Sequence, residues 1–105
     1  MKEAPVEERL RTRLEGRGFR VLKLVTPGHA GSMDRLILRP LWSPGAPYFC
    51  ECKRPGKKER RLQELVRDEW RARGCIVLDV CDTYERVEKI HDALMRQCTW
   101  ERIDW

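Results

Sequence analysis

The sequence has no apolar run that approaches the roughly 20 residues of a membrane-spanning helix, so we expect no membrane span. Its opening stretch, MKEAPVEERLRTRLEG, lacks the apolar segment of a secretory signal, and we therefore expect a protein that is not exported. The five cysteines are an odd number, and no two have Cys-x-x-Cys spacing. A disulfide framework and a zinc ribbon are both poor interpretations of this spacing, which indicates a reducing, cytoplasmic compartment.

What the chain does contain is enough material for one modest core. It has 105 residues, of which 41% are hydrophobic and 37% are charged. That length is typical of a single domain, and that apolar content argues against wholesale disorder. Internal repeats, low-complexity tracts and linkers are absent from the sequence, so we expect one domain over residues 1–105.

The net charge of +5 is concentrated in one segment. The stretch KRPGKKERR, residues 53–61, has six basic residues and one acidic residue and is itself +5, so the other 96 residues sum to zero. A neutral body with one basic segment favours a local contact with a polyanion such as nucleic acid. A solvated loop that happens to be basic is the alternative, and charge alone leaves the two open.

Apolar periodicity divides the chain into seven elements. Val6, Leu10 and Leu14 recur at helical spacing, whereas FRVLKL (residues 19–24) alternates in the manner of a strand. Glycine and proline mark the ends of the segments. The predicted helices are residues 4–17, 58–73 and 83–98, and the predicted strands are 19–24, 34–39, 48–53 and 75–80. This αβββαβα order predicts an α/β fold with a small mixed four-stranded sheet flanked by helices, its first three strands paired as in hairpins.

The second and third helices each have a recognisable apolar stripe. The residues of the second helix expected to share one face are Leu62, Leu65, Val66, Glu69, Trp70 and Arg73. On the third helix, the residues expected to point inward are Val87, Ile90, Leu94 and Cys98. His91 falls on this inward face and is interpreted as structural, and the other cysteines as small core residues.

The third predicted strand contains the candidate reactive side chains. Side chains alternate along a strand, so Glu51 and Lys53 share one face while Cys50 and Cys52 share the other. Asp34 opens the preceding strand. If the two strands are neighbours, the carboxylates of Asp34 and Glu51 converge at one end of the sheet.

Two carboxylates held together repel each other unless a cation lies between them. A hard divalent ion such as Mg²⁺ fits, because it prefers oxygen ligands, and the Cys52 backbone carbonyl would add another oxygen. Lys53 would then orient a water molecule and neutralise charge on a phosphate. This set predicts phosphodiester hydrolysis. It also predicts that Asp34→Asn raises the stability of the metal-free protein by relieving repulsion.

Asp34 followed by Glu51-x-Lys53 on the second and third strands resembles the PD-(D/E)XK nuclease superfamily. More narrowly, the chain resembles the VRR-NUC group, small nuclease domains that occur in phages and are also attached to larger DNA-repair proteins. The group's pattern maps onto Glu7 in the first helix, the stretch 31–34 before the second strand, Glu51 with Lys53, and Gln63 early in the next helix. The resemblance spans roughly residues 3–98.

The resemblance implies a Mg²⁺- or Mn²⁺-dependent DNA endonuclease of a bacterial or phage-infected cell. Asp34, Glu51 and the Cys52 carbonyl would bind the metal, Glu7 would serve a second metal or a coordinated water, and Gln63 would position groups. The backbone of DNA would be held by Arg54, Lys57, Lys58, Arg60 and Arg61, with Lys23 as a further contact. Stand-alone members of the group imply branched DNA, such as four-way junctions, as substrate and a homodimer as the active assembly.

Two positions depart from the pattern or leave it open. Met33 stands where the group usually has proline, so we expect a less rigid turn ahead of Asp34. Glu7 shares a helical face with Leu10 and Leu14, while Glu3, one turn earlier on the same face, is the competing choice.

Other functions remain open at this point. The main alternative is a non-catalytic nucleic-acid-binding or assembly module with the nuclease fold. A second alternative is a protein-interaction domain that uses the tail tryptophans Trp100 and Trp105. His29 is interpreted as a solvated loop residue.

Overall fold

The computed structural model describes residues 4–25, 33–53 and 61–102, with the side chains of all of these except 4 and 99–102. The helices are α1 (Ala4–Glu15), α2 (Arg61–Ala72) and α3 (Tyr84–Arg102), and the strands are β1 (Arg20–Lys23), β2 (Arg35–Leu38), β3 (Tyr48–Cys50) and β4 (Ile76–Val77). The predicted αβββαβα order is confirmed. No helix of the described ranges has the length and apolar character needed to cross a membrane.

The four strands form one mixed sheet in the order β1-β2-β3-β4. The β1–β2 and β2–β3 pairs are antiparallel, with Val21 opposite Ile37 and Leu36 opposite Phe49. The β3–β4 pair is parallel. This architecture confirms the α/β fold predicted from the sequence, including the hairpin-like pairing of the first three strands.

A bulge follows β4, and beyond it the chain pairs again with the residues that follow β3. The amide of Leu78 donates to the Phe49 carbonyl at 2.8 Å, and the amide of Cys81 donates to the Glu51 carbonyl, also at 2.8 Å. From Leu78 to Cys81 the chain advances three residues, whereas from Phe49 to Glu51 it advances only two. This mismatch shows one extra residue on the β4 side, which defines a β-bulge. The Lys53 amide then donates to the Cys81 carbonyl at 2.8 Å, so this end of β3 stays tied to the sheet.

One face of the sheet packs against α1 and α3 to form the core. Its fully buried side chains include Val6, Leu10, Leu14, Phe19, Ile37, Tyr48, Val87, Leu94 and Cys98. The inward stripes predicted for α1 and α3 are both confirmed. Each large apolar side chain buried in this way contributes about 1.5–3 kcal/mol, so this face supplies the main stability of the fold.

Helix α2 covers part of the opposite face. Trp70 packs edge-on against Phe49 of β3, with ring centroids 5.2 Å apart and planes 85° apart. Leu62 and Leu65, however, each remain 48% exposed, while the polar Gln63 is buried. The apolar stripe predicted for α2 is therefore only partly directed inward, because a polar side chain at the start of the helix takes the inward position.

The connections at the other end of the sheet are held by a tight turn after α1. Gly18 has a φ of 98°, and a Cβ there would lie 3.1 Å from Pro40 Cβ and 3.2 Å from Trp42 Nε1. The Trp42 indole donates to the Arg17 carbonyl at 3.0 Å. Beside this anchor, Leu41 is 99% exposed at the tip of the β2–β3 connection.

Candidate active site

Asp34 lies immediately before β2, at the end of the sheet where β3 finishes. Because β2 and β3 are antiparallel, the residue that precedes one strand meets the residues that follow the other. The Cys52 amide donates to Asp34 Oδ1 at 3.1 Å. The Asp34 carbonyl in turn accepts from the Leu24 amide at 2.8 Å, which fixes its backbone to β1. The side chain retains 29% exposure, so solvent reaches the carboxylate.

Glu51 and Lys53 project together from the face that α2 covers. The Lys53 ammonium lies 4.0 Å from Glu51 Oε2, and the two side chains are only 11% and 7% exposed, respectively. Cys50 and Cys52 are buried in the core on the other face. The strand alternation therefore places an acid and an ammonium on one face and the two thiols on the other, as the sequence pattern predicted.

Gln63 links α2 to this set of side chains. It lies in the first turn of the helix and is 8% exposed. Its Nε2 donates to Glu51 Oε1 at 2.7 Å. The amide thereby orients one carboxylate oxygen of Glu51, which accounts for a polar residue at an inward position of an amphipathic helix.

Glu7 reaches the same end of the sheet through an arginine that the sequence reasoning missed. Glu7 Oε2 forms an ion pair with Arg35 Nη2, and the Arg35 side chain is 3% exposed. Arg35 Nη1 donates to the Asp34 carbonyl at 2.8 Å and lies 3.3 Å from Asp34 Oδ2. The sequence did offer a signal: Arg35 is two residues from both Met33 and Ile37, so strand alternation puts it on the same face as these two apolar residues, and all three are buried. The competing Glu3 lies outside the described residues.

Electrostatics around Arg35 favour its charged form. Burial alone would lower the pKa of the guanidinium, but the neighbouring Asp34 and Glu7 carboxylates raise it above the ordinary value. A permanent cation therefore already offsets part of the repulsion expected between Asp34 and Glu51. The expectation that Asp34→Asn stabilises the metal-free protein left this cation out.

The residues proposed to contact DNA are only partly described. Arg61 is exposed and lies 3.3 Å from Glu64. Lys23 is exposed and pairs in register with Arg35, which puts it on the Arg35 face of the sheet rather than on that of Glu51. Four predicted contacts, Arg54, Lys57, Lys58 and Arg60, lie outside the described residues, as do His29, Gly31, Ser32 and Trp105. Met33, in contrast, is a buried core residue.

The cysteines form part of the core. All five are free thiols, and Cys50, Cys52, Cys81 and Cys98 are buried, whereas Cys75 is half-buried. A hydrogen bond to Cys52 together with burial raises the pKa of Cys50 and of Cys81. The burial of these four thiols agrees with the structural role predicted for them.

The oxygen atoms at this end of the sheet suit a hard cation. Among the described residues, no three His, Cys, Asp or Glu side chains converge in a way that would hold a metal ion. Two carboxylates would therefore need a backbone oxygen and external ligands. The Cys52 amide donates to Asp34, and because the N–H and C=O of an extended residue point to the same strand edge, the Cys52 carbonyl is also directed to the side of β3 that faces β2. Carboxylate and carbonyl oxygens are the ligand types that Mg²⁺ accepts.

A separate cavity lies away from these side chains. It has a volume of about 510 Å³ and lies between residues 78–80 and α3, where Arg86, Lys89 and Arg96 line it. None of Asp34, Glu51, Lys53 and Gln63 lines this cavity. The carboxylate set is therefore not part of this cavity.

Comparison with known proteins supports the fold. One solved structure, described as a VRR_NUC domain, is similar to this chain with a TM-score of 0.73 and 29% sequence identity. The match covers 88% of this chain and 96% of that one. No family model matches the sequence, and no curated protein does. The structural likeness supports a relation to the VRR-NUC family and, in coarser terms, a nuclease domain.

Proposed function

We propose that this chain is a metal-dependent DNA endonuclease that hydrolyses phosphodiester bonds. One observation carries the proposal: Asp34 and Glu51 come from neighbouring strands to one end of the sheet, and the Lys53 ammonium lies 4.0 Å from Glu51. The likeness to a solved VRR_NUC domain supports the same reaction class.

Asp34, Glu51 and the Cys52 carbonyl would hold Mg²⁺ or Mn²⁺, which would supply a bound water of lowered pKa and a positive charge to stabilise the departing oxygen. The donor set supports this assignment because its atoms are oxygens, two of them anionic. Glu7 would serve a second cation or a coordinated water.

Lys53 acts on the reacting phosphate and on the attacking water. Its Nζ lies 4.0 Å from Glu51 Oε2, from where it neutralises charge that develops on the phosphate and orients the water toward phosphorus. A side chain that is 11% exposed works in a medium where such charge stabilisation is stronger than in bulk water.

Gln63 acts through Glu51. Its 2.7 Å hydrogen bond to Oε1 holds the carboxylate in one rotamer and keeps the second oxygen directed at the Lys53 side. A held carboxylate loses less conformational freedom when it binds a ligand, which favours binding.

DNA is the substrate that the charge distribution supports. The segment 53–61 holds the whole net charge of the chain, and its cations would follow the phosphate backbone next to Lys53. We extend the proposal to branched DNA, such as four-way junctions, and to a homodimer whose two sites act on two strands.

The test is incubation of the purified protein with linear, flapped and four-way-junction DNA, with Mn²⁺ or with EDTA, followed by a denaturing gel. Cleavage that requires Mn²⁺ and prefers the junction supports the full proposal. Equal cleavage of all three substrates removes the preference for branched DNA. Binding in EDTA without any cleavage in Mn²⁺ indicates a non-catalytic DNA-binding module instead.

A further inference from the structure

Arg35 is a buried cation between two acids that come from different elements. Its side chain is 3% exposed, and it contacts Glu7 of α1 through Nη2 and Asp34 ahead of β2 through Nη1. It stands at an inward position of β2, two residues before the fully buried Ile37. An apolar residue would fill that position without the desolvation penalty of a charge, so core packing alone does not account for the arginine.

The geometry of the contacts uses the fork of the guanidinium. Nη1 holds the Asp34 carbonyl at 2.8 Å and faces Oδ2 at 3.3 Å, while Nη2 takes the Glu7 carboxylate. The other oxygen of Asp34, Oδ1, accepts from the Cys52 amide at 3.1 Å. The Arg35 guanidinium and the Cys52 amide therefore hold the two oxygens of the Asp34 carboxylate from two sides, while Nη1 also holds the Asp34 backbone. A single ammonium would not reproduce this arrangement.

We propose that Arg35 is a positioning residue of the carboxylate set. It holds the Asp34 carboxylate against the Cys52 amide and keeps Glu7 at its side, so that the acids are already placed when a divalent cation arrives. The placement of Asp34 is a property of the metal-free protein. Its consequence for cation binding rests on the proposed function.

The first experiment measures the Asp34–Cys52 hydrogen bond directly, without metal. We would record the ¹H shift and the hydrogen-exchange rate of the Cys52 amide in EDTA, for the wild type and for Arg35→Lys. Lysine keeps the positive charge but loses the fork. Glu7→Gln serves as a second variant, should Arg35→Lys fail to fold. It weakens the ion pair that holds Arg35 Nη2 but changes only the half-exposed partner.

A matched control exists on the other side of α1. Arg13 and Glu88 form a similar ion pair, 2.9 Å between Nε and Oε1, that joins α1 to α3. Arg13→Lys and Glu88→Gln therefore make the same chemical changes in a pair that touches neither Asp34 nor Cys52.

The proposal expects an upfield shift of the Cys52 amide proton and faster exchange, by about tenfold, in Arg35→Lys, with a smaller change in Glu7→Gln. The amide of Phe49, within β3, should show no change in these variants. In both control variants the Cys52 amide should match that of the wild type. A folded Arg35→Lys protein with an unchanged Cys52 amide overturns the proposal.

The second experiment measures Mn²⁺ affinity through the EPR signal of the free ion. We expect the dissociation constant of Arg35→Lys to rise by about tenfold over wild type, as for other residues that orient metal ligands, while Arg13→Lys matches wild type. An unchanged constant overturns the link between Arg35 and cation binding. A wild-type protein that binds no Mn²⁺ contradicts the proposed function, while the Cys52 amide still decides whether Arg35 positions Asp34.

Discussion

The role proposed for Lys53 can be tested by a single substitution. We expect Lys53→Ala to lower the cleavage rate by about 10²–10⁴-fold, because the ammonium beside Glu51 would no longer orient the water or offset phosphate charge. DNA binding should stay nearly intact, since many other cations contribute to it. The measurement is single-turnover cleavage in Mn²⁺ beside a binding titration in EDTA.

The control for this variant is Lys89→Ala. Lys89 is an exposed lysine of α3 that pairs with Glu85 at 3.4 Å, so its removal changes the net charge equally. Cleavage by Lys53→Ala at the rate of Lys89→Ala would show that Lys53 has no part in the reaction.

Asp34 carries a second prediction, which concerns stability. Asp34→Asn should lower the unfolding free energy of the metal-free protein by about 1–3 kcal/mol, because Arg35 is buried and loses one of its anionic neighbours. Urea denaturation in EDTA measures this change. Excess Mn²⁺ should stabilise the wild type through binding to the folded state and should have much less effect on the variant. A variant that is more stable than wild type in EDTA would show that carboxylate repulsion dominates after all.

These residues also show what a sequence pattern can and cannot predict at this scale. The alternation of the third strand predicted which of residues 50–53 share a face, because the period of a strand is geometric. The burial of Arg35 was not predicted, because a charged residue is ordinarily assigned to the solvent-exposed surface. Only the three-dimensional position of Glu7 and Asp34 around it makes burial tolerable.

At the scale of elements, the ends of α1 and α2 offer a matched comparison. Gly18 and Gly74 both follow a helix with a left-handed φ, 98° and 97°, respectively. A Cβ at Gly74 would meet no atom within 4 Å, whereas one at Gly18 would lie 3.1 Å from Pro40 Cβ. We expect Gly74→Ala to cost about 1 kcal/mol from backbone strain, and Gly18→Ala about 2–4 kcal/mol because crowding adds to the strain.

Thermal or urea unfolding of the two variants measures this difference. Equal losses would mean that the connection around Pro40 and Trp42 yields to the added methyl group at no cost. A larger loss in Gly74→Ala would contradict the assignment of the tight packing to the turn after α1.

The elements themselves were largely readable from the sequence, since α1 and α3 have clean helical stripes and Gly16 follows the last residue of α1. The exception is α2, where Leu62 and Leu65 suggested the inward face and Gln63 in fact occupies it. Apolar periodicity could not reveal this, because the inward position of Gln63 depends on a hydrogen bond to Glu51 in another element. The strand β4 is also shorter than predicted, since the bulge after Val77 interrupts its regular pairing.

For the molecule as a whole, the concentration of positive charge in residues 53–61 gives a prediction about the proposed binding of DNA. Replacing Lys57 and Lys58 by alanine should weaken binding to a similar extent for every DNA sequence, because contacts to phosphate do not read bases. The plot of log affinity against log salt should lose about 0.9 of slope for each phosphate contact removed. Fluorescence anisotropy at several salt concentrations in EDTA measures both effects.

The matched variant replaces Arg11 and Lys89, two exposed cations on α1 and α3 that pair with acids of their own helices. It removes the same net charge from elsewhere on the surface. An unchanged salt slope for the Lys57 and Lys58 variant, or an equal loss in the matched variant, would place the DNA on another part of the molecule.

The β2–β3 connection separates two ends of the molecule that can be handled independently. Asp34 precedes β2 and Glu51 follows β3, so the carboxylates occupy one end of this hairpin, while Leu41 protrudes from the other with 99% of its surface exposed. Trp42 beside it is tied to the Arg17 carbonyl, which keeps the tip attached to the turn after α1. Because four of the five native thiols are buried, a cysteine introduced at position 41 would react with a maleimide dye far faster than they do. The hairpin thus provides a labelling site remote from the proposed active site, through which single molecules could be tethered or followed by fluorescence.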